Sequence, residues 1–333
     1  VLPHEKAYHR AGRLVSMERV ARAVCKIKLG RIQNVAVMKL RGTEIFDTFA
    51  EAFGMRYTRL VITAHDAYWL DAAVRAMTGY ASSVIACDAE CGLEQWVAPH
   101  LSPDGRLGAA VMVFGFSAEA VGKSVANRVG QCVMTCPTTA VYNGLEGTTE
   151  RVPLGKSLRY FGDGFQKSKQ VDGRRYWRVP VMDGEFLVEE WLGVAKGVGG
   201  GNLILQATSM EVGLAAARRG VESIVQLPGV IAPFPGGVAR SGSKVGSRYK
   251  KLVASTADAY CPTLRGRVES ALLAEADCGY EIVIDGASEA AVATAMATAM
   301  RAMAGDGVLA IGAGNYGGKL GKFQFRLREL LTR

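Results

Sequence analysis

The sequence predicts an α+β protein built from two similar lobes. Strand-like apolar runs alternate with helical periodicities in both halves of the 333 residues, a length that suits two ordinary domains. A strand, an Ala-rich helix, a glycine and a second strand follow one another from residue 59 to residue 86, and again over 281–311. The tripeptide Cys-Pro-Thr also occurs twice, at 136–138 and at 261–263.

Hydrophobic patterning predicts the individual elements. Strands are predicted at 59–63, 83–86, 109–114, 185–189, 202–207, 281–285, 308–311 and 323–327. Helices are predicted at 67–77, 118–128, 212–226 and 289–304. Ser288 is expected to cap the last helix, with Glu289 complementing the dipole in its first turn. The turn Asp183-Gly184 is taken as the junction between an N-terminal lobe, 38–183, and a C-terminal lobe, 184–333.

The net charge of +9 is concentrated at the start of the chain. Residues 1–37 hold eight Lys or Arg and two Glu, so +6 lies there and only +3 on residues 38–333. The body is close to neutral, which argues against a nucleic-acid-binding surface. Residues 1–37 are Arg-rich like a transit peptide but contain a single serine and no cleavage-like motif. We expect them to be a basic extension outside the fold, with Met38 as the start.

Cysteine and histidine usage predicts a cytoplasmic protein without a bound metal. The seven cysteines are odd in number and scattered, which does not suit a disulfide framework. After residue 37 the only histidines are His65 and His100, and the two C-x3-C pairs lack the added His ligands of a zinc site. No run approaches the roughly 18 consecutive apolar residues of a membrane-spanning helix, so no membrane association is expected.

Glycine is abundant, at 40 of 333 residues, and gathers in short clusters. Such clusters permit positive φ angles and close backbone approach to a ligand, although tight turns explain many of them. The cluster at 197–201 precedes a strand-like segment, whereas the dinucleotide-binding motif requires a helix there. The sequence also lacks a G-x4-GK[ST] loop, so nucleotide binding is not indicated.

Nine segments occur in the order of a known family. They are 43–53 (TEIFDTFAEAF), 128–138 (RVGQCVMTCPT), 161–166 (FGDGFQ), 199–203 (GGGNL), 232–237 (APFPGG), 243–247 (SKVGS), 255–263 (STADAYCPT), 280–284 (YEIVI) and 313–321 (AGNYGGKLG). Together they resemble the formylmethanofuran:tetrahydromethanopterin formyltransferase family over about residues 40–333. The basic extension, and a body that is less acidic than in archaeal members, suit a bacterial, methylotroph-type member.

The resemblance implies two tightly packed ferredoxin-like (split β-α-β) lobes. It also implies a homo-oligomer, usually a dimer of dimers, with the active site in a cleft between subunits. The reaction implied is reversible formyl transfer between methanofuran, or a close analogue, and tetrahydromethanopterin in its 5-formyl form, within the oxidation of formaldehyde to formate. In methylotrophic bacteria such proteins sit in a complex with a metal-dependent hydrolase. Both coenzymes are substrates, and no permanently bound cofactor or metal is expected.

Formyl transfer between two amines requires an acid/base group and donors for the developing oxyanion. Glu281 is the predicted proton shuttle, because apolar strand residues flank it and desolvation would raise its pKa. A solvated Glu at a strand end is the alternative, which the resemblance disfavours. Oxyanion donors are expected from the turn at 199–201, which includes Gly200 and Gly201, or from Asn202 or Asn315.

The remaining predicted contacts come from two loops. Asp258, Tyr260 and Cys261 are expected to line the pocket, since Cys261 has no evident base that would make it a nucleophile. Lys244 and Lys319 lie in glycine-containing contexts and are expected to contact the anionic tails of the coenzymes. Arg240 is a weaker candidate for the same role.

Two other classes of function remain open at this point. A non-catalytic subunit could bind the furan coenzyme within a larger complex, although it would not need a candidate acid/base group. A nucleic-acid-binding protein would have to rely on the charge of residues 1–37.

Overall fold

The computed structural model describes residues 37–225 and 227–332. The predicted basic extension therefore lies outside the described residues, apart from Val37. Within these ranges no helix is long and apolar enough to cross a membrane. The helices are α1 (Ala67–Thr78), α2 (Ala118–Arg128), α3 (Gly155–Leu158), α4 (Met210–Ile224), α5 (Glu289–Met303) and α6 (Leu327–Thr332).

The strands form one large sheet and a separate hairpin, β13 with β14. They are β1 (Met38–Leu40), β2 (Thr43–Ile45), β3 (Phe49–Ala64), β4 (Glu90–Val97), β5 (Leu107–Gly115), β6 (Ala140–Asn143), β7 (Glu150–Pro153), β8 (Lys167–Val171), β9 (Arg174–Val181), β10 (Gly184–Glu189), β11 (Trp191–Ala207), β12 (Val230–Ile231), β13 (Ser243–Val245), β14 (Ala254–Thr256), β15 (Cys278–Gly286), β16 (Val308–Gly312) and β17 (Phe323–Arg326).

Each lobe is a ferredoxin-like βαββαβ unit, as the family resemblance implied. In the N-terminal lobe the antiparallel order is β6-β3-β5-β4, with α1 after β3 and α2 after β5. In the C-terminal lobe the order is β16-β11-β15-β12, with α4 after β11 and α5 after β15. The same 4-1-3-2 order in both lobes means that the fold repeats along the chain.

The two lobes share one continuous sheet. β3 and β11 are 16 and 17 residues long and pair antiparallel at 53–57 with 195–199. β2 pairs in parallel with β16 of the C-terminal lobe, and β10 pairs in parallel with β6 of the N-terminal lobe. Residues 184–189 therefore extend the N-terminal lobe's sheet, and Asp183-Gly184 is a hairpin turn between β9 and β10.

The helix starts follow from side-chain caps. The Asp66 carboxylate accepts the N–H groups of Tyr68 and Trp69, and α1 begins at the next residue after Asp66. The predicted Ser288 cap is confirmed, since its hydroxyl accepts the N–H of Ala291. Ser209 caps α4 in the same way, so this helix begins at Met210 rather than at the predicted residue 212. Each cap satisfies a donor that the first turn leaves unpaired.

Several predicted strands are confirmed, and one is wrong. The predicted strands at 59–63 and 202–207 are only the ends of β3 and β11, whose first halves are interrupted by glycine, acid and alanine residues that hide the strand pattern. Residues 83–86 form a loop, with Ala86 at φ 69°, and the second strand of this unit is β4. The apolar residues of that loop line a cavity instead of pairing in the sheet.

Candidate active site

Two adjoining cavities form a cleft on the face of the C-terminal lobe's sheet opposite its helices. The first has a volume of about 630 Å³ and the second about 530 Å³. Both are lined by Asn202, Glu281 and Tyr316, and by part of the loop at 239–245. Alternation along β15 explains this position: Ile282 and Ile284 belong to the core with the helices, so Glu281 faces the cleft.

Glu281 lies at the junction of the two cavities. Its backbone is paired with Ile204 of β11 on one side. On the other side it exchanges two N–H···O bonds with Ala239, in which Ala239 donates at 2.7 Å and Glu281 donates at 3.0 Å. Its Oε2 lies against Gly242, where an added Cβ would stand 3.3 Å away. Burial raises the pKa of Glu281 to about 7. The carboxyl is therefore partly protonated at neutral pH, as an acid/base group requires.

Two tyrosines flank this carboxyl. Burial raises the pKa of Tyr260, and the charge of Glu281 raises it further. The pKa of Tyr316 is raised by burial and then by the charges of Glu281 and Glu51. Both phenols therefore stay protonated at neutral pH and can donate hydrogen bonds into the cleft. The prediction included Tyr260 but not Tyr316, which lies within the family-like segment 313–321.

The loop that carries Tyr316 is anchored by Glu51, a residue that the sequence analysis did not single out. Glu51 is 1% exposed. Its Oε2 accepts the N–H groups of Tyr316 and Gly318 at 2.7 and 2.9 Å. Its Oε1 accepts those of Leu320 and Gly321, both at 2.5 Å. Burial alone would raise the pKa of Glu51, but these four donors outweigh it and lower the pKa below its ordinary value. The only hint of this role in the sequence was an acidic residue placed between two alanines.

The two predicted asparagines hold the same loop to the sheet. Asn202 accepts the N–H of Gly314 at 2.6 Å and donates to the Gly314 carbonyl at 3.2 Å. Asn315 donates to the hydroxyl of Thr48 at 3.2 Å and to the carbonyl of Phe49 at 3.1 Å. Both side chains line the cleft, but their amide protons are already engaged in this structure. A direct role for them as oxyanion donors is therefore weakened.

The predicted loop residues also line the first cavity. Lys244 on β13 donates to Asp258 at 2.6 Å. This hydrogen bond lowers the pKa of Asp258, although burial opposes the shift. The Cys261 thiol contacts the Thr256 hydroxyl at 3.5 Å. Arg240 is exposed at the rim of this cavity, and among the described residues it has no ion-pair partner.

The structure does not bring every predicted residue to the cleft. Gly200 lines the second cavity, but its N–H donates to Asp285 at 2.9 Å and is not free for an oxyanion. Gly201 faces α5, because an added Cβ would lie 2.5 Å from Val292. Lys319 is exposed and lines neither cavity. The expected contacts of Gly201 and Lys319 with a ligand are therefore not supported within one protomer.

A larger cavity of about 740 Å³ lies in the N-terminal lobe and contains none of the predicted site residues. Its Arg174 is already bound to Glu189 and Glu146. Within 37–225 and 227–332, no group of three or more His, Cys, Asp and Glu side chains is placed to hold a metal ion. The paired cleft around Glu281 is therefore the candidate active site.

Comparisons with known proteins agree with the resemblance. The family model described as formylmethanofuran-tetrahydromethanopterin formyltransferase matches residues 38–181, and a model of the proximal lobe of that enzyme matches 184–330. The formylmethanofuran–tetrahydromethanopterin formyltransferase of Methylobacillus flagellatus is 52% identical over 302 residues, covering 89% of this chain and 100% of its own length.

Two solved structures share the fold. The formylmethanofuran:tetrahydromethanopterin formyltransferase of Methanosarcina barkeri matches with a TM-score of 0.83 and 43% identity, over 88% of this chain and 100% of that one. A chain of the formyltransferase/hydrolase complex of Methylorubrum extorquens, solved with methylofuran, matches with a TM-score of 0.85 and 45% identity, over 89% of this chain and 99% of that one.

Proposed function

The chain belongs to the formylmethanofuran–tetrahydromethanopterin formyltransferase family, and we propose that it transfers a formyl group reversibly between methanofuran, or a close analogue, and a ring nitrogen of tetrahydromethanopterin. The observation that carries the mechanism is the Glu281 carboxyl, with its pKa of about 7, at the junction of two cavities. Two substrates that meet at such a junction can react beside one group able to give and take a proton.

The reaction starts with attack of the ring nitrogen on the formyl carbon. A C–N bond forms, and the carbonyl electrons move onto oxygen to give a tetrahedral intermediate. Glu281 accepts the proton that the attacking nitrogen loses. It then returns a proton to the furan amine as the second C–N bond breaks. Holding both substrates in register supplies much of the rate, so no covalent intermediate on the protein is needed.

The phenols of Tyr260 and Tyr316 are the proposed donors to the oxyanion. They flank Glu281 and keep their protons at neutral pH because their pKa values are raised. The N–H of Gly200 and the side-chain amides of Asn202 and Asn315 are engaged elsewhere, so they support the loop rather than the oxyanion. Donors fixed in advance at the site of developing charge stabilise the transition state most.

Arg240 is the proposed contact for an anionic coenzyme tail. It lines the rim of the first cavity and is free of ion pairs among the described residues. Lys244 can contact the same tail only if its ion pair with Asp258 breaks, and the free energy of that ion pair is then lost. A guanidinium is also better suited than an ammonium to a bidentate contact with carboxylate or phosphate.

We propose further that the chain works in the cytoplasm and as an oligomer, either a dimer of dimers or with hydrolase subunits. One of the structurally similar chains belongs to a formyltransferase/hydrolase complex. The six described cysteines are free thiols, which suits a reducing compartment. Native mass spectrometry of the chain purified from its own host separates the two assemblies, and a monomer would refute both.

A non-catalytic coenzyme-binding subunit remains the competing function. The purified chain, given both coenzymes and no added metal, is assayed for formyl exchange by mass spectrometry. Exchange that saturates with both coenzymes supports the transferase. Coenzyme binding without exchange, at any pH from about 5 to 9, would favour the binding subunit, since Glu281 passes through both protonation states in that range.

A further inference from the structure

A buried pair of carboxyl groups joins the two lobes beneath the cleft. Glu90 begins β4 of the N-terminal lobe and is 6% exposed, whereas Asp285 lies near the end of β15 in the C-terminal lobe and is fully buried. Glu90 Oε2 and Asp285 Oδ2 are the two buried side-chain atoms of the described residues that have no hydrogen-bond partner when both groups are ionised. Two buried carboxylates in contact are strongly unfavourable.

A single proton resolves this conflict. Burial, the charge of Glu90 and a hydrogen bond with Glu90 raise the pKa of Asp285 well above its ordinary value, although the N–H of Gly200 opposes the shift. A proton on Asp285 Oδ2 would let that atom donate to Glu90 Oε2, the other oxygen without a partner. Its Oδ1 still accepts the N–H of Gly200 at 2.9 Å. Both unpartnered oxygens are then satisfied.

The neighbouring groups do not supply a compensating positive charge. Burial and then the charges of Glu90, Asp88 and Asp285 raise the pKa of Cys87 to about 12, so it remains a neutral thiol. Arg59 on β3 is bound to Glu94 at 2.5 and 2.7 Å. Glu281, on the same face of β15, adds negative charge when ionised.

Arg128 on α2 is also occupied. It donates to the backbone carbonyls of Met77, Gly79 and Tyr80 and lies 3.6 Å from Asp88. Arg59 and Arg128 are therefore both engaged by other groups, and a shared proton avoids a second buried carboxylate charge at this position.

The hydrogen bond to Gly200 connects this pair with the cleft. Gly199 and Gly200 form an irregular turn within β11, with Gly200 at φ 89°, and both line the second cavity together with Glu90. We propose that Glu90 and Asp285 share one proton and act as positioning residues that hold the Gly199-Gly200 turn in the cleft wall. When the proton leaves to solvent, the second charge loosens the turn and the contact between the lobes.

The sign of the pH effect follows from the direction of the shift. A raised pKa means that the folded protein keeps a proton that the unfolded chain releases above the ordinary Asp value of 3.8. This contribution to stability is complete below that value and is lost as pH rises toward the folded-state pKa. Over this window one extra proton makes the unfolding equilibrium constant rise about tenfold per pH unit.

Asp285→Asn and Asp285→Ala separate the hydrogen bonds from the charge. In Asp285→Asn the Nδ2–H donates to Glu90 and the Oδ1 accepts from Gly200, so the geometry survives without ionisation. Denaturant unfolding from pH 4 to 7.5 and hydrogen exchange at the Gly200 amide are measured for both variants and for the wild type. Asp277→Asn, an exposed change just before the other end of β15, is the matched control.

The unfolding equilibrium constant rises with pH in the wild type, and in Asp285→Asn we expect the factor by which it rises per pH unit to be about tenfold smaller. Protection of the Gly200 amide should be retained in this variant. Asp285→Ala should lose about tenfold in that protection, the value of one neutral hydrogen bond. An unchanged pH slope in Asp285→Asn, or an unchanged protection in Asp285→Ala, overturns the proposal. These two readouts need no activity.

One kinetic readout rests on the proposed function. Loosening the turn should raise KM in Asp285→Ala above that of Asp285→Asn while kcat changes less. If the chain lacked formyl transfer altogether, the stability and exchange results would still decide the role of the pair. Equal KM values in the two variants, in an active enzyme, would contradict positioning of the turn.

Discussion

Glu51→Gln tests whether the Tyr316 loop is held by one buried carboxylate. Each oxygen of Glu51 accepts two backbone N–H groups, from Tyr316 and Gly318 on one side and from Leu320 and Gly321 on the other. Glutamine keeps one oxygen and turns the other into an NH2 donor. Two backbone donors then face a third donor in a buried site and lose their partner.

The magnitude follows from those two bonds. A hydrogen bond to a charged group contributes about 1.5–3 kcal/mol, so two lost bonds cost about 3 kcal/mol at the lower end. The lower end applies because Gly317 and Lys319 are exposed and the loop can open to water. This cost corresponds to about a hundredfold change in the ratio of closed to open loop. Cleavage through the open loop should therefore rise by a similar factor, and kcat should fall because Tyr316 spends less time in place.

Limited proteolysis within residues 313–321 and steady-state kinetics measure the two effects. Because the pKa of Glu51 is lowered, its stabilising contribution is present above its ordinary value of 4.5 and is lost as pH falls through the folded-state pKa. Glu51→Gln should lack this acid-induced opening. Glu275→Gln, at an exposed position, is the control. If Glu51→Gln kept the wild-type proteolysis rate and the wild-type kcat, the Glu51 carboxylate would not be what holds the Tyr316 loop.

Three further expectations concern the cleft. Tyr316→Phe should lower kcat by about a hundredfold, as the loss of one oxyanion donor does, while the exposed Tyr249→Phe leaves it unchanged. An unchanged kcat in Tyr316→Phe would leave Tyr260 as the donor. Arg240→Ala should raise KM for a coenzyme with an anionic tail severalfold at low salt, less at high salt, and equal KM values would exclude a tail contact. Dialysis against a chelator should leave formyl transfer intact, and activity restored only by metal would contradict the mechanism.

The pattern of the sequence predicted what local periodicity controls. The helix at 118–128 has the predicted bounds, and Glu281 stands out as an acid at the start of the apolar run Ile282–Ile284. Alternation along one strand is enough to place such a residue on a face of the sheet. The prediction of a strand at 83–86 was wrong for a related reason: apolar residues that line a cavity have the same sequence pattern as residues of a buried strand.

The parts that local pattern could not predict depend on distant pairings. Glu51 bonds to N–H groups 265 to 270 residues away, so nothing near it in sequence indicates its role. The amides of Asn202 and Asn315 looked available because their backbone acceptors, Gly314 and Phe49, come from other segments. Glu90 and Asp285 belong to different lobes, and only the assembled sheet brings them together.

Glu281 is the proposed proton shuttle, and the pH dependence of kcat in the wild type and in Glu281→Gln tests this role most directly. The wild-type profile should change slope near the pKa of about 7 that burial gives this carboxyl. Glutamine keeps the shape but cannot exchange a proton, so kcat should fall at least about a hundredfold and the inflection should vanish. A Glu281→Gln enzyme within about threefold of wild type, well short of the roughly 10²–10⁴-fold of a true acid/base group, would contradict the assignment.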